Sequence, residues 1–381
     1  MDNTMVARIK AKFKSKFQTE PLLVFSPGRI NIIGEHTDYN EGFVFPAAID
    51  RGIVAAIQKS DAAVSTAFAA DKDSGIEFSL DNVKPLASGH WGNYILGVVS
   101  EIQKKGIEIG NFDIVFGGDI PGGAGLSSSA ALENSVAVGL NETFGLKLSK
   151  KDMIYISQKA EHNFAGVHCG IMDQYASMFG VKDHALLLDC RTIQATPFKI
   201  DFKDHELVLV NTNVKHSLSD SAYNNRRSVC ESVSKMLHIP ALRDASEKDL
   251  LSIKDKISEE DYQKVLYVVQ ENQRTIDAGN AMKTDNMEAL GKLLYASHYG
   301  LSNQYKVSCD ELDFLVEEAK ASGQVIGARM MGGGFGGCTI NLVLKSGSKQ
   351  FQESVAKAYQ NKFNKACSIY AVSLSNGAGL V

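Results

Sequence analysis

Residues 112–144 read FDIVFGGDIPGGAGLSSSAALENSVAVGLNETF, and they predict the elements around which the rest of the chain is arranged. The apolar run from Phe112 to Phe116 predicts a strand. The glycines after it predict a tight turn, and Ala130 to Phe144 has the composition of a helix that ends at Gly145, a residue type frequent just after a helix. A strand, a glycine loop and a helix in this order are typical of an α/β protein.

The loop between this strand and helix has the properties of a phosphate-binding site. Five of the 33 glycines fall within residues 117–125. Unpaired backbone N–H groups and the positive end of the helix dipole attract anions at such a turn. The loop contains no lysine, so it is not a Walker A motif. Ser127, Ser128 and Ser129 supply hydroxyl groups instead, and one of them could reach a magnesium ion.

Composition excludes several classes of protein. With 381 residues the chain has the length of about two domains. Its net charge of −4 provides no general attraction to nucleic acid or to an anionic membrane. No run of 18 apolar residues predicts a membrane span. The six cysteines form no C-x-x-C pair, so we expect reduced thiols in a cytoplasmic protein.

The chain changes character near residue 200, where we place a boundary between domains of residues 1–200 and 201–381. Periodicity predicts an amphipathic helix at the N-terminus and a mostly helical region from about 219 to 321. Predicted strands lie at 23–25, 43–45, 49–57, 185–188, 207–210, 325–331, 338–344 and 368–374, and further helices begin near 94, 149 and 350.

Other candidate residues are ambiguous when each is considered alone. Arg29 shares a loop with Glu35, His36 and Asp38, a set of groups suited to phosphate and to several sugar hydroxyls. Carboxylates in loops are, however, usually solvated or cap turns. Asp173 could equally be a charge at a helix N-terminus, and Glu161 a surface carboxylate.

A second glycine cluster, at 327–337, contains the pattern G-x-G-x-x-G. We reject a dinucleotide-binding interpretation, because Cys338 to Leu344 has the composition of a strand where that fingerprint requires a helix. A turn that permits close approach of two chain segments explains the glycines better.

Together these segments resemble the GHMP small-molecule kinases, a family named after galactokinase, homoserine, mevalonate and phosphomevalonate kinases. The family's three motifs appear here in order as SPGRINIIGEHTDYNEG (26–42), GGDIPGGAGLSSSAALE (117–133) and GARMMGGGFGGC (327–338). CGIMDQ (169–174) and SAYNNRR (221–227) match as well. The GEHTDYN string is the element specific to the galactose-phosphorylating branch, whereas the glycine-serine loop alone indicates only the superfamily.

The resemblance implies a two-domain α/β (α+β) fold with the active site in the cleft between the domains. It implies that Asp173 is the catalytic base and that Arg29 balances charge on the transferred phosphoryl group. Implied sugar-binding residues are Glu35, His36, Asp38, Gly170 and Tyr223. Implied ATP-binding residues are Gly123, Ala124, Gly125, Leu126, Ser127, Ser128 and Ser129, and Ser129 with Glu161 would hold Mg²⁺.

The reaction implied is ATP-dependent phosphorylation of α-D-galactose at its C1 hydroxyl, the first committed step of galactose catabolism, by a monomer that binds neither nucleic acid nor membrane. Two alternatives stay open. One is a kinase for N-acetylgalactosamine. The other is a non-catalytic sensor of galactose and ATP, which the uninterrupted Ser127 to Ala130 segment disfavours because some relatives of that kind have an interrupted loop.

Overall fold

The computed structural model describes residues 3–214 and 219–381. The strands are β1 (Leu22–Asn31), β2 (Phe43–Val44), β3 (Pro46–Lys59), β4 (Ser65–Ala69), β5 (Ser74–Phe78), β6 (Phe112–Gly118), β7 (His184–Asp189), β8 (Gln194–Lys199), β9 (His205–Asn211), β10 (Val325–Met330), β11 (Cys338–Leu344), β12 (Ser368–Ala371) and β13 (Gly379–Leu380). The helices are α1 (Asn3–Phe17), α2 (Gly92–Lys104), α3 (Ser128–Phe144), α4 (Lys150–Ala160), α5 (Met172–Phe179), α6 (Ser219–Met236), α7 (Glu247–Ser252), α8 (Glu259–Lys283), α9 (Met287–Asn303), α10 (Asp310–Ala321) and α11 (Ser348–Phe363).

The first sheet has six strands in the order β13-β1-β3-β6-β4-β5. Successive residues of β3 point to opposite faces, so Ala55 and Ile57 enter a core with helices α2 to α5 while Val54 and Ala56 meet α1. Both faces are therefore covered by helices. The sheet is anchored at its edge by the chain's C-terminal end, because Gly379 and Leu380 pair with β1.

The second sheet has four antiparallel strands in the order β10-β11-β9-β12. One face, with Val208 and Val210, packs on α10 and α11. The opposite face, with Leu207 and Leu209, joins a core that also contains Phe45 and neighbouring residues from the first sheet's side. This shared core holds the two halves of the molecule together around the cleft. A third sheet has the order β2-β7-β8.

Most predicted elements are confirmed, but the prediction that Arg29 shares a loop with Glu35, His36 and Asp38 is wrong: β1 continues to Asn31 because its residues keep pairing with β3, and Arg29 is part of that strand. Gly145 has the left-handed conformation expected after a helix, with φ of 65°, and Ser149 begins α4 with a capping box. The helical region from 219 to 321 corresponds to α6–α10. The last predicted strand is shorter than expected, since β12 ends at Ala371 and the chain crosses over so that Leu374 forms a bridge with Ile49.

Candidate active site

A cavity of about 430 Å³ lies at the junction of the three motifs. With one exception, every site residue predicted from the sequence lines it, including Arg29, Asp173 and the whole loop from Gly123 to Ser129. The exception is Gly170, which lies behind Asp38. Six segments that are far apart in the chain therefore meet at one place.

The phosphate loop connects β6 to α3 through a series of left-handed turns. Gly123 and Gly125 have φ of 74° and 71°, and Ser127, just before α3, has φ of 59°. Arg29 binds two carbonyl groups of this loop: its backbone N–H donates to Leu126 O at 3.1 Å, and its Nη1 donates to Gly125 O at 2.5 Å. The first turn of α3 retains N–H groups that have no partner within the helix. The loop has the geometry of an anion site at a helix N-terminus.

Arg29 and Asp173 form a bidentate ion pair beside this loop. Arg29 Nε lies 2.8 Å from Asp173 Oδ1, and Nη2 lies 3.0 Å from Oδ2. Burial alone would lower the pKa of Arg29, but the neighbouring Asp173 carboxylate raises it, so the guanidinium stays charged. Ser127 Oγ donates a third hydrogen bond, to Asp173 Oδ2. Because the Asp173 side chain is 25% exposed, a ligand in the cleft can still reach it.

Glu35 is held by the third glycine motif. Its Oε1 accepts hydrogen bonds from Gly332 N at 2.8 Å and from Arg329 Nη2 at 3.2 Å. Arg329 is fully buried and also donates to the carbonyls of Asn31, Ile32 and Met330. The first and third motifs are thereby joined through one guanidinium.

Asp38 lies against α5, where it accepts from Met172 N at 3.4 Å as well as from Tyr39 N at 2.9 Å. Burial and the nearby Asp173 charge raise the pKa of Asp38 to about 7. A Cβ at Gly170 would overlap the Asp38 carboxylate. Gly170 thus acts on the shape of the site through Asp38 in this structure rather than by lining the cavity.

His36 and Tyr223 lie together at one end of the cleft, beside the loop of residues 32–42 that carries Glu35, His36 and Asp38 and is called the sugar loop below. Their ring centroids are 5.2 Å apart, and the Tyr39 ring lies 5.3 Å from Tyr223. Burial lowers the pKa of His36 to about 3, so its imidazole is neutral. This end of the cleft combines an aromatic wall with the two carboxylates Glu35 and Asp38, a combination suited to the faces and hydroxyls of a small sugar.

Glu161 begins a single π-helical turn, Glu161–Ala165, at the end of α4. Its Oε2 accepts from Gln174 Nε2 at 2.9 Å, and its carboxylate is hydrogen-bonded to the Ser129 side chain. Burial and the Asp173 charge raise the pKa of Glu161 to about 7. Gln174 Nε2 also lies 3.3 Å from Glu133 Oε2, and Glu133 Oε1 is buried without a hydrogen-bond partner among the described residues.

These groups fit a magnesium ion that is shared with a nucleotide. Mg²⁺ in phosphoryl-transfer enzymes is usually held by one or two carboxylates together with substrate phosphates. Ser129 and Glu161 supply a hydroxyl and a carboxylate beside the phosphate loop, and the Glu133 carboxylate behind them, one oxygen of which has no hydrogen-bond partner among the described residues, favours a positive charge nearby. In the part of the chain that is described, no group of three or more His, Cys, Asp or Glu side chains is placed to hold a metal ion.

The third glycine motif lies directly against the phosphate loop. A Cβ at Gly332 would lie 3.2 Å from Gly125 O, and one at Gly337 would lie 3.3 Å from Gly123 O. Both glycines have φ of 82°. The expectation of a turn with close chain approach is confirmed, and the strand β11 after it confirms that the G-x-G-x-x-G string is not a dinucleotide fingerprint.

Several residues of the site were not anticipated. One end of the cleft is formed by Ser88, Gly89, His90, Asn93 and Tyr94, which carry no recognisable motif. Arg329 lies within a motif that was noticed only for its glycines. Gln174, next to Asp173, could not be predicted as a site residue, because nothing in the local sequence shows that its amide contacts Glu161 and Glu133.

Comparisons with known proteins show which families this chain is similar to. Residues 11–59 match the galactokinase galactose-binding signature, residues 93–181 the N-terminal domain of GHMP kinases, and residues 280–361 the GHMP kinase C-terminal domain. A galactokinase from Clostridium acetobutylicum is 39% identical, over 99% of this chain and 98% of that protein.

The fold is likewise similar to solved structures. A crystal structure of Lactococcus lactis galactokinase complexed with galactose has a TM-score of 0.94 and 35% identity, covering 98% of this chain and 99% of that chain. Mevalonate kinase from Methanococcus jannaschii shares the fold, with a TM-score of 0.66 at 19% identity, over 94% of this chain and 100% of that chain.

The fold and the cleft are those of a GHMP small-molecule kinase, in the mixed α/β, two-domain form that the resemblance implied. Within this class, the near full-length similarity and the galactose-binding signature distinguish one branch. The chain belongs to the galactokinase family. No helix among the described residues is long and apolar enough to cross a membrane.

Proposed function

We propose that the cleft transfers the γ-phosphoryl group of ATP to the C1 hydroxyl of α-D-galactose, giving α-D-galactose 1-phosphate and ADP. The observation that carries this proposal is the Arg29–Asp173 ion pair, which lies between the sugar loop and the phosphate loop. Phosphoryl transfer demands chiefly alignment and charge stabilisation, and this pair supplies both at the point where the two substrates would meet.

Asp173 is the proposed base. In the reaction, the C1 oxygen of the sugar forms a bond to the γ-phosphorus while the bond to the bridging β,γ-oxygen breaks, and that electron pair leaves with ADP. The proton of the C1 hydroxyl passes to an Asp173 carboxylate oxygen. Since Oδ2 already accepts from both Arg29 and Ser127, the sugar hydroxyl would compete with Ser127 for this carboxylate.

Arg29 has two proposed tasks. Its guanidinium orients Asp173 through two hydrogen bonds, and its side chain, only 4% exposed, carries a positive charge beside the phosphate loop. Charge on the transferring phosphoryl oxygens is stabilised most strongly by a cation that is already in place. Lysine would supply the charge without the bidentate grip on the carboxylate.

The sugar is proposed to bind to Glu35, His36, Asp38 and Tyr223, with Gly170 providing room for Asp38. The triphosphate is proposed to lie along Gly123 to Ser129. Ser129 and Glu161 would hold Mg²⁺, which when bound neutralises phosphate charge. The adenine base is proposed to occupy the end of the cleft near His90 and Tyr94, where the lining continues from the phosphate loop.

A kinetic assay tests the proposal. Purified protein with galactose, ATP and Mg²⁺ should release ADP only when galactose is present, and ³¹P NMR should show the product phosphate on C1. A competition assay with N-acetylgalactosamine separates the alternative substrate. Absence of galactose-dependent ADP release would refute the proposal and favour a sensor.

The remaining expectations are also proposals. The two large sheets support a domain boundary near residue 200. The strands of the six-stranded sheet precede that residue, except for β13, and all strands of the four-stranded sheet follow it. A cytoplasmic location is proposed from the cysteine usage and the absence of nucleic-acid binding from the net charge, and the protein is proposed to be a monomer. Size-exclusion chromatography with light scattering tests the monomer.

A further inference from the structure

A chain of hydrogen-bonded side chains lies behind His36, and its members other than His36 do not line the cavity. His36 Nδ1 is 2.7 Å from Tyr39 Oη, and Tyr39 Oη is 2.7 Å from Tyr305 Oη. Tyr305 Oη in turn lies 3.6 Å from Cys230 Sγ. These groups come from the sugar loop, from the segment after α9 and from α6, so the chain connects the two halves of the molecule.

Packing holds this chain in place. Tyr305 is fully buried, and its ring centroid lies 5.0 Å from His36 and 4.8 Å from Tyr267. His36 has a left-handed backbone with φ of 63°, which a residue with a Cβ adopts only where its surroundings hold it. The imidazole therefore has little freedom to rotate and exchange its two nitrogens.

The relative strengths of the groups as donors and acceptors determine which one donates in each hydrogen bond of this chain. The Cys230 sulfur can accept from both the Asn40 side chain and Tyr305, so Cys230 does not by itself set the direction of the chain. A phenol is a better donor than acceptor, and the unprotonated nitrogen of an imidazole is a strong acceptor. We therefore assign Tyr39 Oη as the donor to His36 Nδ1 and Tyr305 Oη as the donor to Tyr39 Oη.

A neutral imidazole carries one N–H, so Nδ1 as acceptor requires the proton on Nε2. His36 is neutral because burial lowers its pKa to about 3, against a smaller opposing effect of the Gly333 backbone. Nε2 makes no hydrogen bond of good geometry among the described residues, and Gly333, whose backbone lies beside the imidazole, lines the cavity together with His36.

We propose that Tyr39 and Tyr305 are positioning residues that fix His36 in the Nε2–H tautomer, so that His36 donates a hydrogen bond to a sugar hydroxyl oxygen. The inference rests on the proposed function, in which His36 contacts the sugar. Glu35 and Asp38 can only accept hydrogen bonds when ionised. A fixed N–H donor beside them lets the site recognise hydroxyl groups both as donors and as acceptors.

The tautomer can be measured directly by ¹⁵N–¹H correlation spectra of protein labelled at histidine nitrogens, with His36 assigned from the missing signals of His36→Asn. We expect the Nε2–H pattern in the wild type. Tyr39→Phe removes the donor to Nδ1 and should give a mixture of tautomers. Its galactose Kd should rise about fivefold, as loss of one neutral hydrogen bond predicts, with kcat changed much less.

Tyr305→Phe leaves Tyr39 in place and should produce a smaller change in the same direction. The matched control is Tyr295→Phe, whose hydroxyl donates to Val325 O at 3.1 Å and is not part of this chain. An Nδ1–H wild type, or a Tyr39→Phe protein with unchanged tautomer and Kd, would overturn the inference. Wild-type protein that binds no galactose would instead refute the proposed function, because the tautomer spectra do not depend on the sugar.

Discussion

Arg29 and Asp173, 144 positions apart in the chain, meet as a two-point ion pair with N–O distances of 2.8 and 3.0 Å. Arg29 lies on β1 and Asp173 in the first turn of α5, so packing of that helix on the first sheet sets their distance. The pair also connects to the phosphate loop through Gly125 O and Ser127 Oγ. Any displacement of α5 would therefore disturb the base, the arginine and the phosphate site together.

Replacing Asp173 with Asn removes the proposed base and preserves its size. We expect kcat to fall roughly 10²- to 10⁴-fold, the range for loss of a general base, while the galactose Kd changes only a few-fold. Rapid-quench kinetics and calorimetric titration with galactose measure the two effects. A kcat close to that of the wild type would eliminate Asp173 as the base.

Replacing Glu161 with Gln removes a negative charge at the proposed magnesium site. The Mg²⁺ concentration for half-maximal rate should rise about tenfold or more, since metal sites lose roughly 10- to 100-fold in affinity even when groups behind the ligands are changed. The control is Glu353→Gln, an exposed carboxylate on α11. Identical Mg²⁺ titrations of the Glu161 variant and the control would refute the metal role.

Replacing Gly170 with Ala introduces a methyl group where the Asp38 carboxylate now lies. Because the carboxylate must move, we expect a higher KM for galactose, with the KM for ATP nearly unchanged. Gly379→Ala is the control, since no atom lies within 4 Å of a Cβ built there. Equal galactose KM values for the two variants would show that Gly170 does not shape the sugar site.

Galactose binding should depend on pH through Asp38, whose pKa is raised to about 7 by burial and by Asp173. If the sugar binds the ionised carboxylate, affinity should weaken by about tenfold between pH 8 and pH 6, because each pH unit below the pKa reduces the ionised fraction up to tenfold. Calorimetry at several pH values measures this slope. Asp38→Asn should bind more weakly and lose the slope; an unchanged slope would assign it to another group.

The same raised pKa has the opposite effect on the stability of the sugar-free protein. Between the unfolded pKa near 3.8 and the folded pKa of about 7, the folded state binds a proton that the unfolded state has released. The Asp38 contribution therefore lowers the free energy of unfolding as pH rises through this window. Thermal unfolding of Asp38→Asn, compared with the wild type at pH 5 and pH 8, should show this loss reduced.

Replacing Arg329 with Met leaves Glu35 buried without its cationic partner and three carbonyls without their donor. We expect a loss of about 3–5 kcal/mol in the free energy of unfolding, as for removal of one member of a buried ion pair. Urea unfolding measures it. The surface pair Arg8–Asp71, with side chains 47% and 44% exposed, provides the control, and Arg8→Met should have a much smaller effect. A loss for Arg329→Met no larger than for the control would contradict the assigned role.

Sequence signals of short range predicted much of the fold correctly. Apolar periodicity located α1, whose Ile9 and Phe13 are fully buried, and a serine with an acidic residue three positions later marked the start of α4. The glycines near 123 and 332 marked backbone with positive φ. Such features depend only on neighbours in the chain and can be read without knowing the fold. The end of β12 could not be predicted in this way, because it depends on where the chain after β12 meets Ile49 in the first half of the molecule.

The site divides in the same way. The residue types and the motifs that contain them predicted the chemistry of the site from the sequence alone. Which groups touch was decided by tertiary packing: Arg329 reaches Glu35 across 294 positions, and Tyr39 reaches Tyr305 across 266. Contacts of this range form only when the two large sheets and their helices close around one core. Local sequence therefore specified the parts of the cleft and the turns that carry them, whereas burial within the closed structure set the charge states of Asp38, His36 and Glu161, because the cost of removing a charge from water depends on every element packed around it.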